Sequence, residues 1–346
     1  MVSYLMGKIT LSIIIPTLNA GKTLDACLTS IASQRYPQKQ LEIIIADGGS
    51  IDNTLTIAKK FKAKIIKNPL KTAEAGKMIA LKKSQGIFIA LIDSDNILPT
   101  PEYLNEMLKP LETNPDSIGA EPIAFTYRSH AGFIERYCAL LGANDPYAYF
   151  SQIYDRYSSL SGKWTGIKLT TKNFPKYLKI WLHPDSTLPT IGANGTIFRK
   201  SFLEKYLLTA PYLFDIDCIS QALSQNKQPI EFLKTKNSII HTYCESSILK
   251  FIRKQKRRIS DYYFYKKYRQ FNWSSVNQHQ SLKFIIYSFF VIGPIKDSVK
   301  GYLSKNDIAW FFHPVACLIT AIIYIIITLE VKIGKSVNQN RTKWQQ

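Results

Sequence analysis

Residues 11–50 read LSIIIPTLNAGKTLDACLTSIASQRYPQKQLEIIIADGGS, and this stretch sets the fold class. Leu11 to Ile15 is a short apolar run stopped at Pro16. From Thr23 to Ser33 the apolar residues recur at helical spacing, and Leu41 to Ala46 is a second apolar run closed by Asp47-Gly48-Gly49-Ser50. The pattern continues outward. A helix is expected from Asp52 to Phe61, with Asp52 or Asn53 as its cap, then a strand over Lys64 to Lys67. Ala73 to Gln85 reads as a helix and Ile87 to Ile92 as a fourth strand running into Asp93-Ser94-Asp95. Short strands alternating with longer helices predict an α/β fold with a mostly parallel sheet and flanking helices. Such sheets bind ligands beyond the carboxyl ends of their strands, where Asp47 and the Asp93/Asp95 pair fall.

Placement suggests chemistry. A carboxylate followed by two glycines lets the backbone approach a nucleotide while the acid accepts a base or ribose hydrogen bond. Two carboxylates two residues apart at a strand end can hold a hard divalent cation that bridges phosphate oxygens. An Asp-x-Asp triplet alone is weak, and it gains meaning from following the two strands in order.

The segments IIIPTLNAGKTLDACLTSI, EIIIADGGSIDNT and AEAGKMIALKKSQGIFIALIDSDNILP resemble the nucleotide-sugar half of family 2 glycosyltransferases, inverting enzymes of the GT-A (Rossmann-like) fold. The resemblance covers about residues 9–245 and is most specific in the first hundred. It implies a UDP- or GDP-linked sugar donor and Mn²⁺ or Mg²⁺. By position, Pro16, Thr17 and Asn19 would line the nucleotide, Asp47 with Gly49 and Ser50 would meet the base, Asp93 and Ser94 the ribose and diphosphate, and Asp93 and Asp95 the metal. Two departures stand out: Ala20 and Gly48 replace acids usual in the family. Lys77 is either a phosphate contact or an ordinary surface-helix lysine.

Inversion needs a base to take the acceptor proton. In PYLFDIDCISQAL the family's acidic segment aligns Asp215 with the base and leaves Asp217 as substitute; Phe214 stands where an acid is usual, and a helix-capping role is the alternative for either. In IGANGTIFRK, Gly192, Asn194 and Gly195 are candidate acceptor contacts or simply a tight turn. The resemblance also implies His241 as a further metal ligand and Arg257 and Arg258 as diphosphate contacts; a structural role is the alternative for His241. The Gln-x-x-Arg-Trp form of processive synthases is missing, so single-sugar transfer is expected.

The chain's charge is +20, from 45 Lys and Arg against 25 Asp and Glu, and it is concentrated at the C-terminal end. Residues 241–346 carry 17 basic and 5 acidic side chains. Ile308 to Val331 (IAWFFHPVACLITAIIYIIITLEV) is long enough to span a bilayer and reads as apolar all round, with Trp310 and Tyr324 as interfacial candidates. Phe284 to Ile295 is too short to cross alone, so re-entrant or interfacial placement is equally open. Between Ser246 and Phe271, Ile248, Ile252, Gln255, Ile259 and Tyr262 recur at a helical period among nine Lys/Arg, which suits an anionic membrane surface. Basic flanks favour a hairpin with both ends, and the catalytic domain, on the cytoplasmic side of the cell membrane. Met1 to Thr10 carries no secretory signal and is expected to lead straight into the first strand.

Four segments follow: 1–120 for the nucleotide sugar, 121–245 for the acceptor, 246–275 as a basic amphipathic interfacial helix, and 276–346 as membrane anchor and basic tail. Five scattered cysteines form neither a disulfide framework nor a metal spacing. The expected activity is glycosyl transfer to a polyprenyl-linked or glycolipid acceptor, with no nucleic-acid partner. The alternatives are a sugar-phosphate nucleotidyltransferase on a similar sheet and a non-catalytic membrane or nucleic-acid-binding protein.

Overall fold

The computed structural model describes residues 9–206, 212–213, 215–266 and 278–335. They divide into two compact units. The first takes the described residues up to 123 with 169–186 and 191–241; the second takes 124–168, 187–190 and those from 242 onward.

The first unit is built on β1 (Leu11–Thr17), whose isoleucines are fully buried between flanking strands. β2 (Leu41–Asp47) runs parallel to it in the register Ile13 to Ile43, and β3 (Lys64–Lys67) extends that edge. The other side of β1 takes β4 (Phe88–Leu91), also parallel. These strands are continuous apolar runs because helices cover both faces of a parallel sheet. Helix α1 (Leu24–Ala32) buries Leu24, Cys27, Leu28 and Ile31, the stripe read from the sequence. Helix α2 (Thr54–Lys60) follows Asn53, while the Asp52 carboxylate accepts from the Thr54 amide. Helix α3 (Ala73–Leu81) opens on Thr72, whose hydroxyl accepts from the Ala75 amide. It stops four residues short of Gln85. The chain must leave the helix there to lay Gly86 against Ser12, where a Cβ would come within 2.5 Å of the Ser12 nitrogen.

Beyond β4 the sheet changes character. The short β5 (Asn96–Ile97) precedes α4 (Tyr103–Thr113), and β6 (Gly119–Phe125), β7 (Thr170–Asn173), β8 (Tyr177–Leu182), β9 (Thr196–Arg199) and β10 (Ile230–His241) complete the order β3-β2-β1-β4-β9-β6-β10-β8-β7. β9 pairs antiparallel with β4 and with β6. The parallel pattern expected from the first hundred residues thus holds for four strands, and the whole is a mixed α/β sheet with flanking helices. In its middle, Glu121 of β6 and Lys234 of β10 form a fully buried ion pair at 2.6 Å.

The second unit is helical: α5 (Phe133–Leu141), α6 (Pro146–Phe150), α9 (Ile248–Lys266), α10 (Gln278–Phe290), α11 (Ile292–Ser304) and α12 (His313–Lys332), with α7 (Lys200–Lys205) and α8 (Asp215–Asn226) belonging to the first. Its core is aromatic. Tyr137 meets Phe312 edge-on at 5.4 Å, and Phe251 meets the same ring at 5.3 Å. Tyr154 is buried here too, and Tyr147 and Phe150 pack on Phe284.

Three membrane-end expectations change. In α9 the inward residues are Phe251, Gln255 and Tyr265, while Ile248 is exposed, because the Phe251 ring is drawn into the aromatic core. The apolar run Phe284 to Ile295 breaks at Val291, which takes a left-handed φ of 59° and separates α10 from α11. Ile308–Lys332 is long and apolar enough to cross a membrane, yet it is not featureless. Trp310 is fully buried over Gly301, and Tyr324 donates to Asp145 at 2.7 Å, so neither is an interfacial anchor. His313, Cys317 and Thr320 form a buried stripe along α12.

Candidate active site

The site starts where β1 and β2 end side by side. Both Asp47 oxygens are engaged locally: one accepts from the Gly49 and Ser50 amides at 2.8 and 2.9 Å, the other from the hydroxyls of Ser50 at 2.5 Å and Thr17 at 3.1 Å. These bonds occupy the roughly four lone-pair positions a carboxylate offers. Asp47, expected at the base, also organises the turn that carries Gly49 and Ser50. Gly49 adopts φ 92°, which the missing side chain permits. Asn19, itself left-handed at φ 51°, ties this turn to the β1 loop: its amide donates to Ser50 Oγ, and its side-chain oxygen accepts from Ile51. Pro16, half-buried between Ile15 and Thr17, lies opposite Ala46.

Asp93, Ser94 and Asp95 form the turn after β4, all half-buried. Its shape is held by Asn96, a buried residue the sequence reading passed over. The Asn96 side-chain oxygen accepts from the Asp93 amide at 2.9 Å, and its NH₂ donates to Asn194 Oδ1 at 3.0 Å. Asn96 also pairs with His241 in the β5–β10 ladder, which brings the imidazole to 3.3 Å from Asp95. Asp95 and His241, 146 positions apart in sequence, thus face each other because two strands pair. Among the described residues no three His, Cys, Asp or Glu side chains converge as a metal cage. Asp95 and His241 offer one oxygen and one nitrogen donor, which fits a divalent ion that completes its shell with phosphate oxygens and water.

Lys77 lies in α3 and is buried, which excludes the surface-lysine alternative. Its ammonium sits 3.4 Å from Asp215, the first residue of α8. Burial pushes the Asp215 carboxyl up, Lys77 pulls it back and Asp93 adds to the rise, leaving it at about 6. Burial alone would lower Lys77, but the surrounding Asp215, Asp93 and Glu74 outweigh it, and the ammonium is held above its ordinary value. Asp215 Oδ1 is buried without a hydrogen-bond partner among the described residues. Asp217, two residues further, accepts from the Tyr212 hydroxyl at 3.2 Å. The two acids are thereby distinguished: Asp215 faces the cation, and Asp217 is buried against a phenol. Phe214, between Leu213 and Asp215, lies outside the described residues.

Gly195 turns the chain into β9 at φ 79°, and the Gly192 carbonyl accepts from Thr196 Oγ1. A turn role accounts for both glycines, while Asn194 reaches the acidic loop through Asn96. Arg257 and Arg258 belong to the second unit. There Arg258 donates to the Asn144 carbonyl and lies 3.8 Å from Asp145, and Arg257 is exposed. Tyr212 and Asn96 carried no sequence signal beyond their nearness to the acids.

Comparison with known proteins bears on this arrangement. Glycosyltransferase AglE of Haloferax volcanii is 29% identical over 133 residues, 36% of this chain and 43% of that protein. UDP-Glc:alpha-D-GlcNAc-diphosphoundecaprenol beta-1,3-glucosyltransferase WfaP of Escherichia coli is 39% identical over 100 residues, 28% of this chain and 39% of that protein. The chain spans less than half the length of these curated relatives. Mannosyltransferase PcManGT from Pyrobaculum calidifontis shares the fold at a TM-score of 0.52 and 12% identity, covering 92% of this chain and 87% of that one. The mixed sheet with its helices is a GT-A architecture. The model of Glycosyl transferase family 2 matches residues 12–207, from the first buried strand to the end of α7, and since that is more than half of the 346 residues, the chain belongs to this family.

Proposed function

We propose that this chain transfers a single sugar, with inversion, from a UDP- or GDP-linked donor to a lipid-linked acceptor at the cytoplasmic face of the cell membrane. The observation that carries the reading is Asp215: a buried carboxyl with one unpartnered oxygen, beside Lys77 and within electrostatic reach of Asp93. A carboxylate so placed accepts the acceptor hydroxyl proton as the oxygen attacks the anomeric carbon from the face opposite the leaving diphosphate. Asp217 is held by Tyr212 and acts as support. Pro16, Thr17, Asn19, Gly49 and Ser50 form the nucleotide floor, and Lys77 supplies a positive charge beside the phosphates. Asp95 and His241, with Asp93 adjacent, would hold Mn²⁺ or Mg²⁺, which when bound neutralises charge on the leaving diphosphate. Asn194 and the glycines beside it border the acceptor.

The relatives support the choice of substrates. WfaP, by its name, uses UDP-Glc and an undecaprenol-linked acceptor, and PcManGT was solved with GDP-Man and Mn²⁺. The test is nucleoside diphosphate release from a panel of UDP-, GDP- and dTDP-sugars with Mn²⁺, with and without membrane lipid extract. We expect one donor to be used, release to require metal and rise with lipid, and Asp95→Ala to lose at least about 100-fold. Neither release nor binding of any donor would overturn the reading.

A further inference from the structure

Helices α10 and α11 each turn large apolar side chains away from the second unit. On α10 these are Leu282, Ile286 and Phe289; on α11 they are Ile295, Val299 and Leu303, the last 78% exposed. The spacing is helical, so each helix has an outward apolar stripe, while Phe284, Ser288, Pro294 and Ser298 are buried on the opposite side. The charges sort in the same way. Lys283, Lys296, Lys300 and Lys305 are exposed, whereas Asp297 accepts from Tyr287 and Asp307 is bound to Arg136 and Tyr127. The outward face of this segment is therefore apolar bordered by lysines, with its acids hydrogen-bonded to side chains of the unit, as suits a helix pair seated in anionic headgroups.

Helix α12 has the length to cross a bilayer, but its packing along a basic helix sets a cost against crossing. α12 runs beside α9: Phe251 meets Phe312, just before the first residue of α12, at one end, and Tyr263 shares a 2.9 Å hydrogen bond with Thr328 at the other. The two lie together from Phe251 to Tyr263, about 18 Å of helix. Arg253, Lys256 and Arg257 are exposed along that length of α9. A crossing by α12 would carry these cations into hydrocarbon, each at roughly a hundredfold cost in insertion.

We propose that the second unit seats in one leaflet of an anionic membrane through the outward faces of α10 and α11, with α12 packed along α9 and not crossing. This rests on the membrane-surface reading given above and specifies its geometry. The lysines' aliphatic stems would lie along the apolar stripe while their ammonium groups reach phosphate oxygens.

The full chain should float with phosphatidylglycerol-containing vesicles and bind phosphatidylcholine vesicles at least about tenfold more weakly. Val299→Glu/Leu303→Glu should weaken binding by at least about tenfold with its thermal midpoint in detergent retained, and Lys296→Glu/Lys300→Glu should do so by about tenfold. Equal binding to both vesicle types, or no effect of either variant, would overturn the proposed face. Sidedness decides the crossing. Asn306→Cys and Lys335→Cys flank α12, and the five native cysteines are buried. In sealed membrane vesicles an impermeant maleimide should label both introduced thiols from the same side; labelling from opposite sides would overturn the one-leaflet placement. Neither readout needs sugar transfer, so loss of donor turnover with flotation and sidedness intact would count against the catalytic reading alone.

Discussion

Asp215 and Lys77 share a buried site in which each sets the charge of the other. With its carboxyl at about 6, Asp215 is ionised and competent as a base above that pH and protonated below it. Transfer should therefore fall as pH drops through about 6. Lys77 pulls the carboxyl down, so Lys77→Met should move this acid limb to higher pH, read from the rate profile with saturating donor. Asp215→Asn should lower kcat by about 10²- to 10⁴-fold, with donor affinity measured separately by titration. At this scale the sequence identified acids and their strand-end positions. It did not show that Asp47 bonds to Gly49, Ser50 and Thr17, or that Asp217 is held by Tyr212, because hydrogen-bond partners are fixed by backbone geometry that residue type leaves open.

The strands and helices of the first ninety residues were readable because local pattern and burial agree there: an isoleucine run in a parallel strand, a leucine stripe on a covering helix. The antiparallel half was not. β6, β9 and β10 are joined by pairings across long sequence separations, and no short-range periodicity announces that β9 will insert between β4 and β6. The buried Glu121–Lys234 pair ties two of these strands, with Thr235 Oγ1 donating to the Glu121 carbonyl. Removing one partner leaves an uncompensated charge in the sheet. Lys234→Met should destabilise by about 3–5 kcal/mol, and Glu121→Leu/Lys234→Met should recover most of it, measured by denaturant unfolding. Failure of the double variant to recover would assign the cost to packing.

For the whole molecule, the five cysteines are all buried, and none is in a disulfide. The native protein should react negligibly with a thiol reagent such as DTNB, and denaturant should expose five equivalents. The charge of +20 also predicts that vesicle binding weakens steadily as salt is raised, since screening shortens the reach of exposed lysines to about 8 Å near physiological ionic strength.

The sequence alone determined the α/β class, the family resemblance, the acids at strand ends and the apolar, basic character of the C-terminal third. These depend on composition and short periods, which are properties of the chain itself. Only the tertiary structure decided that Asp95 meets His241, that Lys77 is buried against Asp215, and that α12 has a protein-facing stripe and a charged neighbour. Each of these joins residues distant in sequence, and such contacts are chosen by strand pairing and helix packing, which no local window contains.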